Sequence, residues 1–230
     1  MAIIVRMDID RPFGKKSFIY QALSRVGSDL YFPRLHSLRY LSDLQEVLPI
    51  LESYNARSYV FFRRCTFPTT SVLQALKRGG HIVGLHLENS RSLDSFKKEL
   101  ERLRSYTNEE VSTFSKHGSG THRYGLFHHA PYEPDKYVIW AKELGMKAFF
   151  GNGEDPTVQS FRDGSLRVFP SAFWLEPFWR NTARFTVDWL REQSTQRDIV
   201  LLFHPDNVTA VKGLMDCLIR ILQECNTRVL

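Results

Sequence analysis

Three apolar runs in this chain each stop at a carboxylate or an imidazole. The first, residues 2–7, is rich in Ile, Val and Met and ends in Asp8-Ile9-Asp10. In an extended strand, residues two apart share a face, so Asp8 and Asp10 stand side by side. Two carboxylates that close repel each other unless a cation or a shared proton holds them. The second run, residues 81–87, delivers His86 near its end, and the polar Glu88, Asn89 and Ser90 follow. The third, residues 199–203, leads to His204, where Pro205 and Asp206 break the strand. In a parallel α/β barrel, groups at the C-terminal ends of strands converge on one site. A lone histidine is more often a hydrogen-bonded core residue. Carboxylates and imidazoles on three such strand ends are the equipment of a divalent-metal hydrolase.

The elements that must position these groups are legible from periodicity. Leu41, Leu44, Val47, Leu48 and Leu51 recur at helical spacing within a helix over 38–54. Residues 58–62 read as a strand. Thr69 or Thr70 caps a helix running to 77, which Gly79 and Gly80 close. A charged amphipathic helix follows over 93–106. A weak strand over 111–115 ends at Lys116-His117-Gly118-Ser119-Gly120, where small residues let a metal or substrate approach. A loop carrying His122, His128 and His129 leads to a helix over 135–144, closed by Gly145. Strands over 147–150 and 165–169 come next, then an aromatic loop with Phe173, Trp174, Phe178 and Trp179. A helix around 186–193 and a final one over 208–224 flank the strand that ends at His204. Nearer the start, 11–27 reads as a loop and a short helix, and 29–38 as a loop with Pro33 and His36. Strands alternating with helices predict the α/β class: a single (β/α) barrel over residues 1–230, regular, distorted or seven-stranded, of mostly parallel strands with outer helices.

A chain of 230 residues with 43 % hydrophobic content suits one large core. No run approaches the roughly 18 apolar residues of a membrane span. The N-terminus enters a strand almost at once, without the regions of a secretory signal, so a cytoplasmic protein is expected. Cys65, Cys217 and Cys225 are odd in number and lack close pairing, which argues against a disulfide framework or a cysteine zinc site. The net charge of +6 is spread along the chain, which argues against a nucleic-acid partner. Attraction of an anionic substrate, such as a nucleotide-linked or acidic sugar, is the other use of that charge. Arg11 and Lys15 or Lys16 stand just past the aspartate pair and could serve it, or be ordinary loop charges.

Asp8-Ile9-Asp10, the GGHIVGLH of residues 79–86 and the LLFH of residues 201–204 resemble, in order and spacing, the polysaccharide deacetylases. This is the NodB-homology group, carbohydrate esterase family 4. Residues 40–62 are similar to the family's first helix and second strand, and 133–150 to the helix and strand after its Pro-rich motif. The resemblance therefore covers most of the chain. The opening Asp-Ile-Asp and the Gly84-Leu85-His86 triplet resemble a divergent branch. That branch includes the deformylases of lipid-linked aminoarabinose and deacetylase-like proteins of O-antigen clusters.

The resemblance implies Asp8 as general base, Asp10 and His86 as metal ligands and His204 as general acid. It implies a divalent ion, zinc first, with cobalt, nickel or manganese as alternatives. The implied substrate is an N-acylated sugar or glycan in surface-polysaccharide or lipopolysaccharide synthesis, giving a free amine and acetate or formate. The family's HxxxH pattern would place another ligand at position 90, where this chain has Ser90. His117 is the first candidate to replace it and His129 the second. His129 also stands where the family has an Arg-Pro-Pro-Tyr-Gly motif that positions the base, which makes it a substrate-contact candidate. Trp174 and Trp179 could stack on a sugar ring, or serve as core or lid. His36, His81 and His122 read as structural or surface residues. A competing expectation is a catalytically silent barrel that binds a glycan or nucleotide sugar, its metal site lost through Ser90. A third keeps the metal and cleaves an ester or another amide.

Overall fold

A computed structural model gives the structure of the chain, described over residues 1–30 and 38–229. Of the loop expected over 29–38, residues 31–37, with Pro33 and His36, lie outside the described residues, while 29 and 30 belong to the helix Phe18–Leu30. In chain order the first elements are β1 (Ile3–Ile9), α1 (Phe18–Leu30), α2 (Ser42–Ser53), β2 (Ser58–Phe62), α3 (Thr70–Arg78), β3 (Ile82–Leu87), α4 (Leu93–Thr107) and β4 (Thr113–Lys116). The second half adds α5 (Pro134–Glu143), β5 (Ala148–Gly153), β6 (Phe161–Asp163), β7 (Leu166–Ser171), β8 (Phe173–Trp174), α6 (Val187–Ser194), β9 (Ile199–Phe203), α7 (Pro205–Ala210) and α8 (Leu214–Glu224).

Among the described residues the strands form one sheet in the order β6-β7-β5-β4-β3-β2-β1-β9-β8. Its pairings are parallel except that of β6 with β7. The sheet curls. In a flat sheet, β2 and β5 would lie three strand spacings apart, about 14 Å. Instead the rings of Tyr59 and Phe150, one from each strand, have centroids 4.7 Å apart. The result is a half-barrel with helices around it and open edges at β6 and β8. The expected barrel is thus present in distorted, unclosed form. Seven longer parallel strands carry it, and the short β6 and β8, which periodicity did not reveal, extend its edges. No helix among the described residues is long and apolar enough to cross a membrane.

Strand alternation divides the molecule into two cores. Ile3, Val5, Met7 and Ile9 point outward with Val60, Phe62 and Phe114, and the helices bury them. Ile4, Tyr59, Phe61, Phe150, Phe169 and Leu202 point inward and fill the floor of the half-barrel. Gly84, on β3 between these aromatic rings, lets them meet. A Cβ at Gly84 would lie 2.3 Å from the Phe61 ring and 2.8 Å from Thr113 Oγ1. Gly84→Ala therefore forces the packed ring to move, and overpacking of this kind costs roughly 1–3 kcal/mol. Urea unfolding measures it; an unchanged midpoint would show that the floor yields freely.

The expected final helix is broken. α7 starts early because Pro205 fits the first helical turn. Gly213 then takes φ 82°, which an L-residue resists, and α8 begins after it.

Candidate metal centre

Parity along the strands brings the expected residues to one place. Arg6, Asp8 and Asp10 alternate along and just past β1, on the inward face. Across the sheet, Asp8 is in register with Phe61, Phe61 with Gly84, and His86 with Ser115. So His86 and, two residues past Ser115, His117 project to the same side. The ladder reaches the site itself, because the His117 amide donates to Leu87 O at 2.9 Å. From the other flank, Leu202 pairs with Arg6, so His204 arrives on the same face.

Asp10 Oδ1 lies 3.1 Å from His86 Nε2 and 3.0 Å from His117 Nδ1, and those two nitrogens are 3.2 Å apart. Metal–donor bonds of about 2.0–2.2 Å at octahedral or tetrahedral angles place donors about 2.9–3.5 Å from one another. These spacings fit. Asp10 Oδ1 is also buried without a hydrogen bond, which a cation between the three atoms would resolve. Burial and then the charge of Arg63 push the His117 pKa well below its ordinary value, keeping the ring neutral and its lone pair available. His86 Nδ1 is 2.7 Å from Ser115 Oγ, a partner that can fix the ring with Nε2 facing the centre. Two imidazoles and a carboxylate suit Zn²⁺, or Co²⁺, Ni²⁺ and Mn²⁺.

Ser90 is buried and its Oγ faces Tyr137 Oη at 3.2 Å, away from these donors. His117, one residue past β4, stands beside Asp10 and His86 instead and could supply the imidazole. His129 does not line the cavity. Its amide donates to Glu88 O at 2.9 Å and its ring lies 3.9 Å from Glu133. His81 is structural, with Nδ1 2.8 Å from Ser58 Oγ, and His122 is exposed.

Asp8 and His204 flank the donors, each with a buried counter-charge. Asp8 Oδ2 lies 3.7 Å from His86 Nε2. Arg6 Nε and Nη2 donate to the two oxygens of Asp8 at 2.9 and 2.6 Å. Arg6 is itself held by Gly151 O and Asn152 Oδ1, each at 2.7 Å. Burial raises the Asp8 pKa, but Arg6, with His86 and His204, outweighs it and holds the carboxyl below its ordinary value. Sequence reasoning missed Arg6 as a functional residue. The available signal was Arg-x-Asp-x-Asp on one strand, which puts all three on one face.

His204 Nε2 is 3.5 Å from Asp10 Oδ2, and its Nδ1 is 2.9 Å from Glu176 Oε1. Glu176 is fully buried and also accepts from the His204 amide and Asn207 Nδ2, at 2.9 and 3.0 Å. Burial lowers the His204 pKa, but Glu176 first and then Asp10 raise it to about 9. Asp206 faces Arg11 and Lys15 at 3.3 and 3.2 Å. Glu176 was the second missed residue; a lone carboxylate inside the apolar run Phe173-Trp174-Leu175-Glu176-Pro177-Phe178 was its only trace.

The donors open into a cavity of about 520 Å³ lined also by Trp174 and Trp179. Both indoles flank His204, with centroids 6.0 and 5.1 Å from its ring.

No family model and no curated protein matches the sequence. Solved structures do share its fold. The chitin deacetylase from the fungal pathogen Colletotrichum lindemuthianum is 12 % identical, with 98 % of this chain and 84 % of that one covered and a TM-score of 0.52. The peptidoglycan deacetylase PdaC from Bacillus subtilis is 10 % identical, with 98 % and 85 % covered and a TM-score of 0.51. A putative glycoside hydrolase/deacetylase from Parabacteroides distasonis is 8 % identical, with 97 % and 65 % covered and a TM-score of 0.52. The class defined here is therefore an α/β half-barrel similar in fold to carbohydrate deacetylases. At these identities the likeness is one of fold, and activity must be argued from this chain's own site.

Proposed function

We propose that this protein is a metal-dependent amide hydrolase that removes an acyl group, acetyl or formyl, from the nitrogen of an amino sugar. The observation that carries the reading is the donor triangle of Asp10, His86 and His117, with a clamped carboxylate on one side and a clamped imidazole on the other. A divalent ion held there would polarise the amide carbonyl and acidify a water. Asp8, kept ionised by Arg6, accepts the water's proton. His204, kept protonated by Glu176, gives a proton to the leaving amine. Trp174 and Trp179 offer apolar faces beside that amine for a sugar ring. The resemblance of Asp8-Ile9-Asp10 and Gly84-Leu85-His86 supports a role in surface-glycan synthesis. The complete donor set favours this reading over a silent binding barrel. Acyl release from N-acetyl, N-formyl and O-acetyl sugars, with and without added zinc or cobalt, tests it; no release from any of them in metal-loaded protein would sink it.

The pH profile is a separate test. An acid must carry its proton, so activity falls as pH rises through the His204 pKa. Glu176 first, and then Asp10, move that value up from roughly 6.5 to about 9; a cation held beside Asp10 would draw it part of the way back. Glu176→Gln removes the raising charge, so the alkaline limb moves to lower pH. At pH 8 the variant is expected to lose about tenfold in kcat while keeping its rate on an activated ester, whose leaving group needs no proton. An unmoved limb would remove His204 from the acid's role.

A further inference from the structure

We propose that the amino sugar taken by this site carries an anionic group, a phosphate or a carboxylate, on the His204 side of the cavity. This rests on the amide-hydrolase reading above. Deep in the site Asp8 is matched by Arg6 and Arg63 by Glu88, and the buried Lys116 is engaged by His117 O and His128 Nε2. The mouth is different. Arg11, Lys15, Arg25 and Arg123 line the cavity there, against only two carboxylates, Asp206 and Glu154. Arg11 and Lys15 both lean on the buried Asp206. Among the described residues, Arg123 bonds to the carbonyls of Gly125 and Leu126 and to no carboxylate, and Arg25 faces the cavity without a carboxylate partner. Positive charge is thus in excess where a ligand enters.

Its position relative to the reacting groups is fixed by hydrogen bonds. Lys15 donates to Asn207 Oδ1, and Asn207 Nδ2 donates to Glu176 Oε1 at 3.0 Å, the oxygen that also meets His204 Nδ1. Lys15, and Arg11 beside it on Asp206, therefore belong to the same chain of contacts as the imidazole that protonates the leaving amine. That amine is part of the sugar, so the sugar lies on this side, against Trp179 and within reach of Arg11 and Lys15. Trp174 Nε1, buried without a hydrogen-bond partner, is a spare donor in the same wall. An uncharged sugar would leave this excess unused. A phosphate or carboxylate would meet guanidinium forks suited to either.

Calorimetric titration of the metal-loaded protein tests this with N-acetylglucosamine, N-acetylglucosamine 1-phosphate and an N-acetylated hexosaminuronic acid. At least one charged sugar is expected to bind about tenfold or more tightly than the neutral one, the worth of a charge-assisted hydrogen bond. Added salt should shrink that advantage. The arm with the larger gain identifies the group. In the Arg11→Gln, Arg25→Gln double variant the ratio of charged to neutral affinity should fall to about one, and in Arg25→Gln, where only an exposed side chain changes, it should fall part of the way. Equal affinities in the unmodified protein overturn the proposal. So does a ratio that survives in full in the double variant, because Arg11 and Arg25 would then contribute nothing to holding the anion. Repeating the titrations in the Asp8→Asn background, which should keep the metal and lose turnover, reads binding alone. A protein that selects charged sugars but releases no acyl group keeps this inference and loses the hydrolase reading, and one that hydrolyses neutral sugars without preference does the reverse.

Discussion

Alanine at Asp10, His86 or His117 abolishes tight binding of a divalent ion and, with it, acyl release: this is the largest effect expected of any substitution in the chain. The three donor atoms lie 3.0–3.2 Å from one another, and each is a third of the protein's hold on the ion. Loss of even an outer partner typically costs about 10–100-fold in metal affinity. Loss of a direct donor costs more, so elemental analysis after dialysis should find background metal. Ser115→Ala calibrates the scale. It removes the hydroxyl beside His86 Nδ1 and should fall within the outer-partner range, binding metal weakly but measurably. The fold survives, because these groups stand at strand ends above the aromatic floor. Asp10 is 24 % exposed, so its removal opens no sealed cavity. His86→Ala leaves a buried hydroxyl short of one partner, at roughly 1–3 kcal/mol. Zinc should raise the Tm of the unmodified protein and not that of the three alanine variants. Full occupancy in any one of them would strike that residue from the donor set.

The second large effect is at Asp8. Asp8→Asn should keep the metal and lose about 10²–10⁴-fold in kcat, since an amide cannot take the proton. The change also strips Arg6 of its charge partner. Breaking a buried pair costs about 3–5 kcal/mol when nothing else holds the survivor. Here Gly151 O and Asn152 Oδ1 still accept from Arg6, so a smaller loss of stability is expected. Arg6→Gln separates the two roles. Without the guanidinium, burial prevails and the Asp8 pKa rises. A base must be ionised, so the acid limb of the pH profile moves to higher pH while the plateau rate changes less than in Asp8→Asn. The stability that Asp8 gains from its lowered pKa is present above its unfolded value, roughly 3.9, and fades as pH falls through the folded one. Near-normal turnover in Asp8→Asn would assign the base to another group.

The strands that end in Asp10, His86, His117 and His204 could be read from the sequence because each signal is local. An apolar run fixes a strand, its polar stop fixes the end, and parity fixes the face. The same logic could have exposed Arg6, which stands two residues before Asp8, but a charge inside an apolar strand reads as noise until its partner is seen. Glu176 is a different case. It meets His204 across 28 residues of sequence and from an aromatic loop, and no local period encodes such a meeting. β8, two residues long, is held by β9 and not by any pattern of its own. His129 misled for the opposite reason. Its surroundings in sequence pointed to the site, yet its backbone is tied to Glu88 and its ring faces Glu133.

Arg6, Asp8 and Asp10 occupy alternate positions along and just past a strand that has a strand on either side. Their spacing is set by the pleat, about 6.6 Å for every two residues, and by no loop. The segments that bear Arg123 and Trp179 can therefore change length or sequence without moving the base, its counter-ion or the first donor. Reactivity and selectivity become separable inheritances. A chimera carrying another protein's mouth on this half-barrel should forfeit affinity for its sugar while still hydrolysing a small generic amide, and new substrates can be recruited one loop at a time.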